Sequence, residues 1–127
     1  MIGTTIINSA RNVFKELGPG FAECIYHRAF VYELQLNKLN VENKKCIPIN
    51  YKNFNVGYGE ADIVVHDTDI HYILELKAIS GNISEKEKIQ LNTYRKNIDF
   101  PTIGYIINFP QPSTNSCKDD IDYIMLE

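Results

Sequence analysis

The chain has 127 residues, 44% apolar and 23% charged, which is the size and composition of one globular domain with a single core and too little for a two-domain enzyme. Lys plus Arg number 13 against 16 Asp plus Glu, for a net charge of −3, so a wholesale basic coating is excluded and any contact with a polyanion must be local. Residues 1–50 carry six basic and four acidic residues and 51–127 carry seven and twelve, which places the acidic excess in the second part.

No apolar run approaches the roughly 18 residues of a membrane span, and the amino terminus lacks a charged segment followed by an apolar one. The expectation is a soluble, cytoplasmic protein without a membrane partner. Three cysteines, Cys24, Cys46 and Cys117, are an odd number with no close pair. That argues against a disulfide framework and a thiolate zinc site and predicts reduced thiols.

From Thr4 to Leu17 the residues Ile6, Ile7, Ala10, Val13, Phe14 and Leu17 form the stripe of an amphipathic helix, ended by Gly18-Pro19-Gly20. A second helix is predicted from about Phe21 to Asn37, with Ile25, Ala29, Tyr32 and Leu36 one or two turns apart. After Asn40 short β-branched and aromatic runs follow: Val41 to Tyr51, Phe54 to Tyr58, Ala61 to His66 and His71 to Ile79. Separated by turn residues, they read as an antiparallel meander.

Ser84 with Glu87 forms a capping box for a third helix over about Glu85 to Asn97, carrying Leu91, Tyr94 and Ile98. Thr102 to Phe109 reads as a strand. Pro110, Pro112, Ser113, Asn115 and Ser116 then make a loop, and Ile121 to Leu126 a short last strand. The order ααββββαββ, without regular βαβ alternation, indicates an α/β or α+β layer fold with a mixed sheet.

Chemistry concentrates in Tyr72-Ile73-Leu74-Glu75-Leu76-Lys77-Ala78-Ile79, a segment as hydrophobic as a central strand that nevertheless carries two charges. Alternation puts Ile73, Glu75, Lys77 and Ile79 on one face, and charges there require partners. A hairpin turning about the Thr68-Asp69 bond would set His66 opposite His71, Val64 opposite Ile73 and Asp62 opposite Glu75. Opposed carboxylates destabilise a sheet unless a cation lies between them.

Mg²⁺ fits, because it takes one or two protein carboxylates and completes its shell with water and phosphate oxygens. Lys77, on the same face, would supply a fixed positive charge for phosphodiester hydrolysis. The inference depends on register, since a slip of one residue turns Asp62 to the other face. Taken alone, Glu75 and Lys77 also fit an exposed surface pair.

Asp62 followed by Glu75-Leu76-Lys77 resembles the D…(D/E)xK signature of the PD-(D/E)XK nuclease superfamily. Gly20-Phe21-Ala22-Glu23-Cys24-Ile25-Tyr26 resembles the GxxExxY motif of one family of small proteins within it. Glu16-Leu17-Gly18-Pro19-Gly20 and Ile106-Ile107-Asn108-Phe109 are similar to further recurrent segments in the same order. The resemblance implies a restriction-endonuclease-like αβββαβ core, a mixed central sheet flanked by helices, with an extra N-terminal helix.

It also implies Asp62 and Glu75 as metal ligands joined by Glu23, Lys77 as the catalytic lysine, and Mg²⁺ or Mn²⁺ as the cofactor. Gln90-Leu91-Asn92-Thr93-Tyr94 resembles the QxxxY motif of RecB-type nucleases, whose glutamine and tyrosine help position the substrate. Two departures stand out: Phe14 where members often carry histidine, and Gly59-Glu60 where they carry a tyrosine-arginine pair.

The expected substrate is nucleic acid, DNA before RNA, held by cations such as Lys38, Lys44, Lys45, Lys52, Arg95 and Lys96 with Tyr26 and Tyr94 beside them. A homodimer is one way to enlarge that footprint. Each flanking position has a plainer reading: Tyr26 and Tyr94 as amphipathic core residues, Glu23 as a solvated helix residue, Lys44-Lys45 as a solvated turn, His27 as an ordinary histidine. The rival function is a catalytically weak nuclease-fold module that binds nucleic acid or protein. No P-loop, H-E-x-x-H, EF-hand, G-x-S-x-G or Cys/His signature offers another chemistry.

Overall fold

The apolar stripe of the first helix decides where that helix sits. In the computed structural model, which describes residues 1–114 and 116–127, α1 runs Ile2–Leu17 and buries Ile6, Ile7, Ala10, Val13 and Phe14. Asn115, assigned above to a loop, lies outside the described residues. Gly18 and Gly20, with φ of 73° and 108°, turn the chain into α2 (Glu23–Leu36).

The second helix corrects the sequence reading. Ile25, Tyr32 and Leu36 are exposed, and the core face is instead Tyr26, Phe30 and Leu34, all fully buried. Both stripes satisfy helical spacing, so periodicity could not separate them. The stripe with two aromatic rings wins because it removes more apolar area from water. Tyr26 stacks on Phe109 at 4.8 Å between centroids, and Phe30 meets the same ring edge-on at 6.2 Å.

The sheet follows in the order β1-β2-β3-β4-β5. Its strands are β1 (Asn40–Tyr51), β2 (Phe54–His66), β3 (His71–Lys77), β4 (Thr102–Asn108) and β5 (Asp122–Leu126), with α3 (Glu85–Lys96) between β3 and β4. The two predicted runs Phe54–Tyr58 and Ala61–His66 are one continuous strand, because Gly59 and Glu60 stay extended and paired with β1. The element order is therefore ααβββαββ. β1, β2 and β3 form the antiparallel meander, β3 and β4 pair in parallel across α3, and β5 closes the far edge antiparallel.

Two apolar layers sandwich the sheet. Leu74, Leu76, Ile63, Val65 and Ile107 pack towards α1 and α2, while Ile73, Val64, Ile106 and Ile47 pack towards Leu91 of α3. Truncating a fully buried ring such as Phe30 or Phe109 would cost about 3–5 kcal/mol. The capping box forms as expected, the Ser84 N–H donating to Glu87 at 3.0 Å. All three cysteines are free and exposed.

Candidate active site

The β2–β3 hairpin has the expected register, His66 opposite His71 and Val64 opposite Ile73, but the ladder stops at Ile63 and Leu74. Beyond that pair the strands diverge. Asp62 and Glu75 are thus not a ladder pair; each carboxylate bonds the backbone of the other strand. Glu75 Oε1 accepts from the Asp62 N–H at 3.2 Å, and Asp62 Oδ2 accepts from the Leu76 N–H at 2.8 Å. Half-buried amides need acceptors, and these two carboxylates supply them where the ladder cannot. The same bonds fix the carboxylates beside one another.

Strict alternation also fails at Asp62. Ala61 and Val64, three residues apart, both belong to the layer under α3, whereas Ile63 and Val65 face α1 and α2. On β1 the matching residue is Lys44, whose φ is 53°, and neither Lys44 nor Asp62 has a partner in the ladder between them. Two facing irregularities turn the strands together and let Asp62 reach a cleft under the start of α2. Period-two reasoning has no term for such a flip.

That cleft, of about 430 Å³, holds acidic Glu23, Glu60 and Asp62 and basic Arg28 and Lys44. His27, buried and hydrogen-bonded to Asn43, forms part of its wall. A larger groove of about 580 Å³ between α1 and α2 contains none of the predicted site residues. Burial, then the Asp62 charge, pushes Glu75 up to about 8, with Lys77 opposing. Burial and then Asp62 also raise Glu23, while Lys77 and His27 lower it. Glu23 and Glu75 therefore both feel the charges of Asp62 and Lys77.

Among the described residues, no group of three or more His, Cys, Asp or Glu side chains is arranged to hold a metal ion. The pair Asp62 and Glu75 nevertheless suits a hard cation in its donors, since a divalent ion would relieve the burial and the Asp62 repulsion that oppose ionisation of Glu75, and Mg²⁺ needs no more from the protein.

The remaining predicted residues separate. Gln90 and Tyr94 are together, the amide donating to the phenol oxygen at 3.0 Å. The Tyr94 ring sits against Gly59, where any Cβ would collide with it, so a tyrosine at position 59 could not coexist with this packing. The other half of that departure, Glu60, is in the cleft. Phe14 packs against Tyr26 and Phe109, so its departure alters the core.

Tyr26 is a correction as a substrate contact: it is wholly buried, and its hydroxyl donates to the Gly18 carbonyl at 2.7 Å and accepts from Gln111 at 3.1 Å. Arg95, half-exposed, has Nε and Nη2 on Thr102 at 2.9 and 3.0 Å and Nη1 on Asn92 at 2.9 Å. Lys45 is paired with Glu42 at 3.3 Å, whereas Lys44 is exposed at the cleft.

Sequence reasoning missed Arg28, whose position one turn beyond Cys24 on the Glu23 helix was the available signal. It also missed Asn108 and Gln111. Asn108, fully buried, brackets Ile79 with bonds of 2.9 and 3.1 Å and so holds the chain leaving Lys77. Gln111 accepts from the Gly20 N–H at 2.9 Å, tying the end of β4 to the turn that presents Glu23.

Residues 1–119 match the model of the PD-(D/E)XK nuclease superfamily, and the chain belongs to that superfamily. Its three helices and five-stranded mixed sheet are those of the restriction-endonuclease-like fold. Members are generally nucleases that use divalent metals. Comparison with curated proteins gave no match. Among the described residues no helix is long and apolar enough to cross a membrane.

Proposed function

We propose that this protein is a divalent-metal-dependent nuclease that hydrolyses phosphodiester bonds of DNA, and that it falls in the GxxExxY group of its superfamily. The observation that carries the reading is the pair of interlocked carboxylates, Asp62 and Glu75, with Lys77 one pleat further along β3. The group assignment draws on Gly20 in its positive-φ turn, Glu23 in the cleft and Tyr26 bonded back to Gly18.

Asp62 and Glu75 would hold the ion, with Glu23 at the cleft edge. When bound, Mg²⁺ or Mn²⁺ would supply charge neutralisation and water activation. The protein's own groups do the rest. The two backbone amides orient the carboxylates before any ligand arrives. Lys77 sets a positive charge where negative charge grows on the phosphoryl oxygens. Arg28 and Lys44 attract the flanking backbone from across the cleft, and Gln90 with Tyr94 forms a polar edge on α3.

The test is cleavage of duplex, nicked, branched and single-stranded DNA, and of RNA, with Mg²⁺ or Mn²⁺. Glu75→Gln and Lys77→Ala should each lower the rate by at least about a hundredfold, the scale on which a single charge-stabilising group acts, while thermal unfolding shows both variants folded. Undiminished cleavage by both would place the chemistry elsewhere. A second reading, a binding module without efficient turnover, draws on Glu60, which adds a third acid to the cleft in place of a cation. Calorimetric titration with Mn²⁺ separates the two, because the module predicts no uptake that depends on Glu75.

A further inference from the structure

The half of β2 before Ala61 has only β1 as a neighbour, since the β3 ladder begins at Ile63, so Cys46 to Gly59 projects as a two-stranded arm beside the cleft. Its tip is a two-residue turn, Lys52-Asn53, with φ of 49° and 64° at the two positions. One face is covered: Ile47 is buried, Ile49 packs with it against the α3 layer, and Gly59 lies under Tyr94. The ladder shifts register between Ile49 and Asn50 and leaves Val56 unpaired, so the opposite face carries Tyr58 and Glu60, leading to the Asp62 cleft at about 6.6 Å per step, while Phe54, opposite Tyr51, stands on the Ile47 and Ile49 face at the tip. Tyr58 is 68% exposed, and at the tip Tyr51 and Phe54 are 62% and 71% exposed.

The charge on this arm is opposite to that of the chain. From Asn43 to Gly59 there are Lys44, Lys45 and Lys52 and no acidic residue, in a protein of net charge −3. The Lys52 ammonium sits 5.5 Å from the Tyr51 ring centroid. Exposed rings interleaved with cations on a ribbon that ends at a phosphodiester site match the requirements of unpaired bases, each offering a π-face and a charged backbone. In an intact duplex the bases are stacked on one another and offer these rings no face.

We infer that the β1–β2 arm is a stacking platform for a single-stranded segment of nucleic acid that runs out of the cleft over Tyr58 and round the open edge of β2 to Phe54 at the tip, with these two rings as the stacking residues and Lys44 and Lys52 on its phosphates. The inference rests on the nuclease reading for the substrate's path, but its test does not use cleavage. The chain has no tryptophan, so Tyr58→Trp and Phe54→Trp each introduce a single indole.

In chelator, titration of the full-length variants with oligothymidylate or oligouridylate should quench that indole, and a blunt duplex at equal nucleotide concentration should quench it far less. In fluorescence anisotropy with labelled oligothymidylate, the Tyr58→Ala/Phe54→Ala double variant should bind at least about fivefold more weakly than wild type, with an unchanged melting temperature. Tyr58→Phe should keep wild-type affinity. Equal quenching by duplex, or an alanine double variant that binds like wild type, overturns the inference. So does a dimer that this double variant converts to monomer, because a second copy would then cover the arm. Loss of Mn²⁺-dependent cleavage in Glu75→Gln bears on the nuclease reading alone.

Discussion

Glu75 keeps its proton up to about pH 8 because burial and the Asp62 charge both oppose ionisation, whereas in the unfolded chain it ionises near 4.5. Between those values folding takes up a proton, so this contribution to stability is complete below about pH 4.5 and is lost as pH rises towards 8. In chelator the melting temperature should fall as pH rises from 5 towards 8, and the fall should flatten in Glu75→Gln, which cannot ionise. A divalent cation that holds the two carboxylates ionised should remove the same slope in wild type. A melting temperature independent of pH in chelator, with wild type and Glu75→Gln superimposed, would show that the two acids do not strain one another.

At the scale of elements, what the sequence disclosed and what it hid have different physical origins. The hairpin register was readable because it is set by a short turn and by matched apolar residues, His66 to Ile63 against His71 to Leu74. The coupled flip at Lys44 and Asp62 was not, since it depends on two non-glycine residues in different strands leaving regular geometry together. Likewise no spacing rule distinguishes Tyr26-Phe30-Leu34 from Ile25-Ala29-Tyr32-Leu36; the choice is made by Phe109, far along the chain.

Gly59 is the clearest case of a departure explained only in three dimensions. An alanine there would push against Tyr94 and is expected to destabilise by roughly 1–3 kcal/mol, an overpacking cost. In the Tyr94→Ala background the same change should cost less than about 0.5 kcal/mol, the range for sites that no longer interact. Denaturant titration of the four proteins reads that coupling, and strictly additive effects would remove the packing explanation.

Across the whole molecule, net charge proved a poor guide to where a polyanion can approach. A chain of net charge −3 concentrates its acids in the cleft and the second part of the sequence, while the arm from Asn43 to Gly59 is purely basic. Arg95 and Lys45 are already engaged, by Thr102 and Glu42, which leaves Arg28, Lys44 and Lys52 as the cations beside the cleft and along the arm. With Lys77 at the reacting phosphate, four phosphate contacts with a single strand predict a slope of about −3 in log affinity against log salt, at about −0.7 per contact. Measured in chelator on labelled oligothymidylate, Lys44→Gln and Lys52→Gln should each flatten that slope by about 0.7, and Arg95→Gln should leave it unchanged while lowering stability. A steeper slope than wild type's four cations can supply, or one that responds to Arg95, would mean that the strand crosses α3 and not the β1–β2 arm.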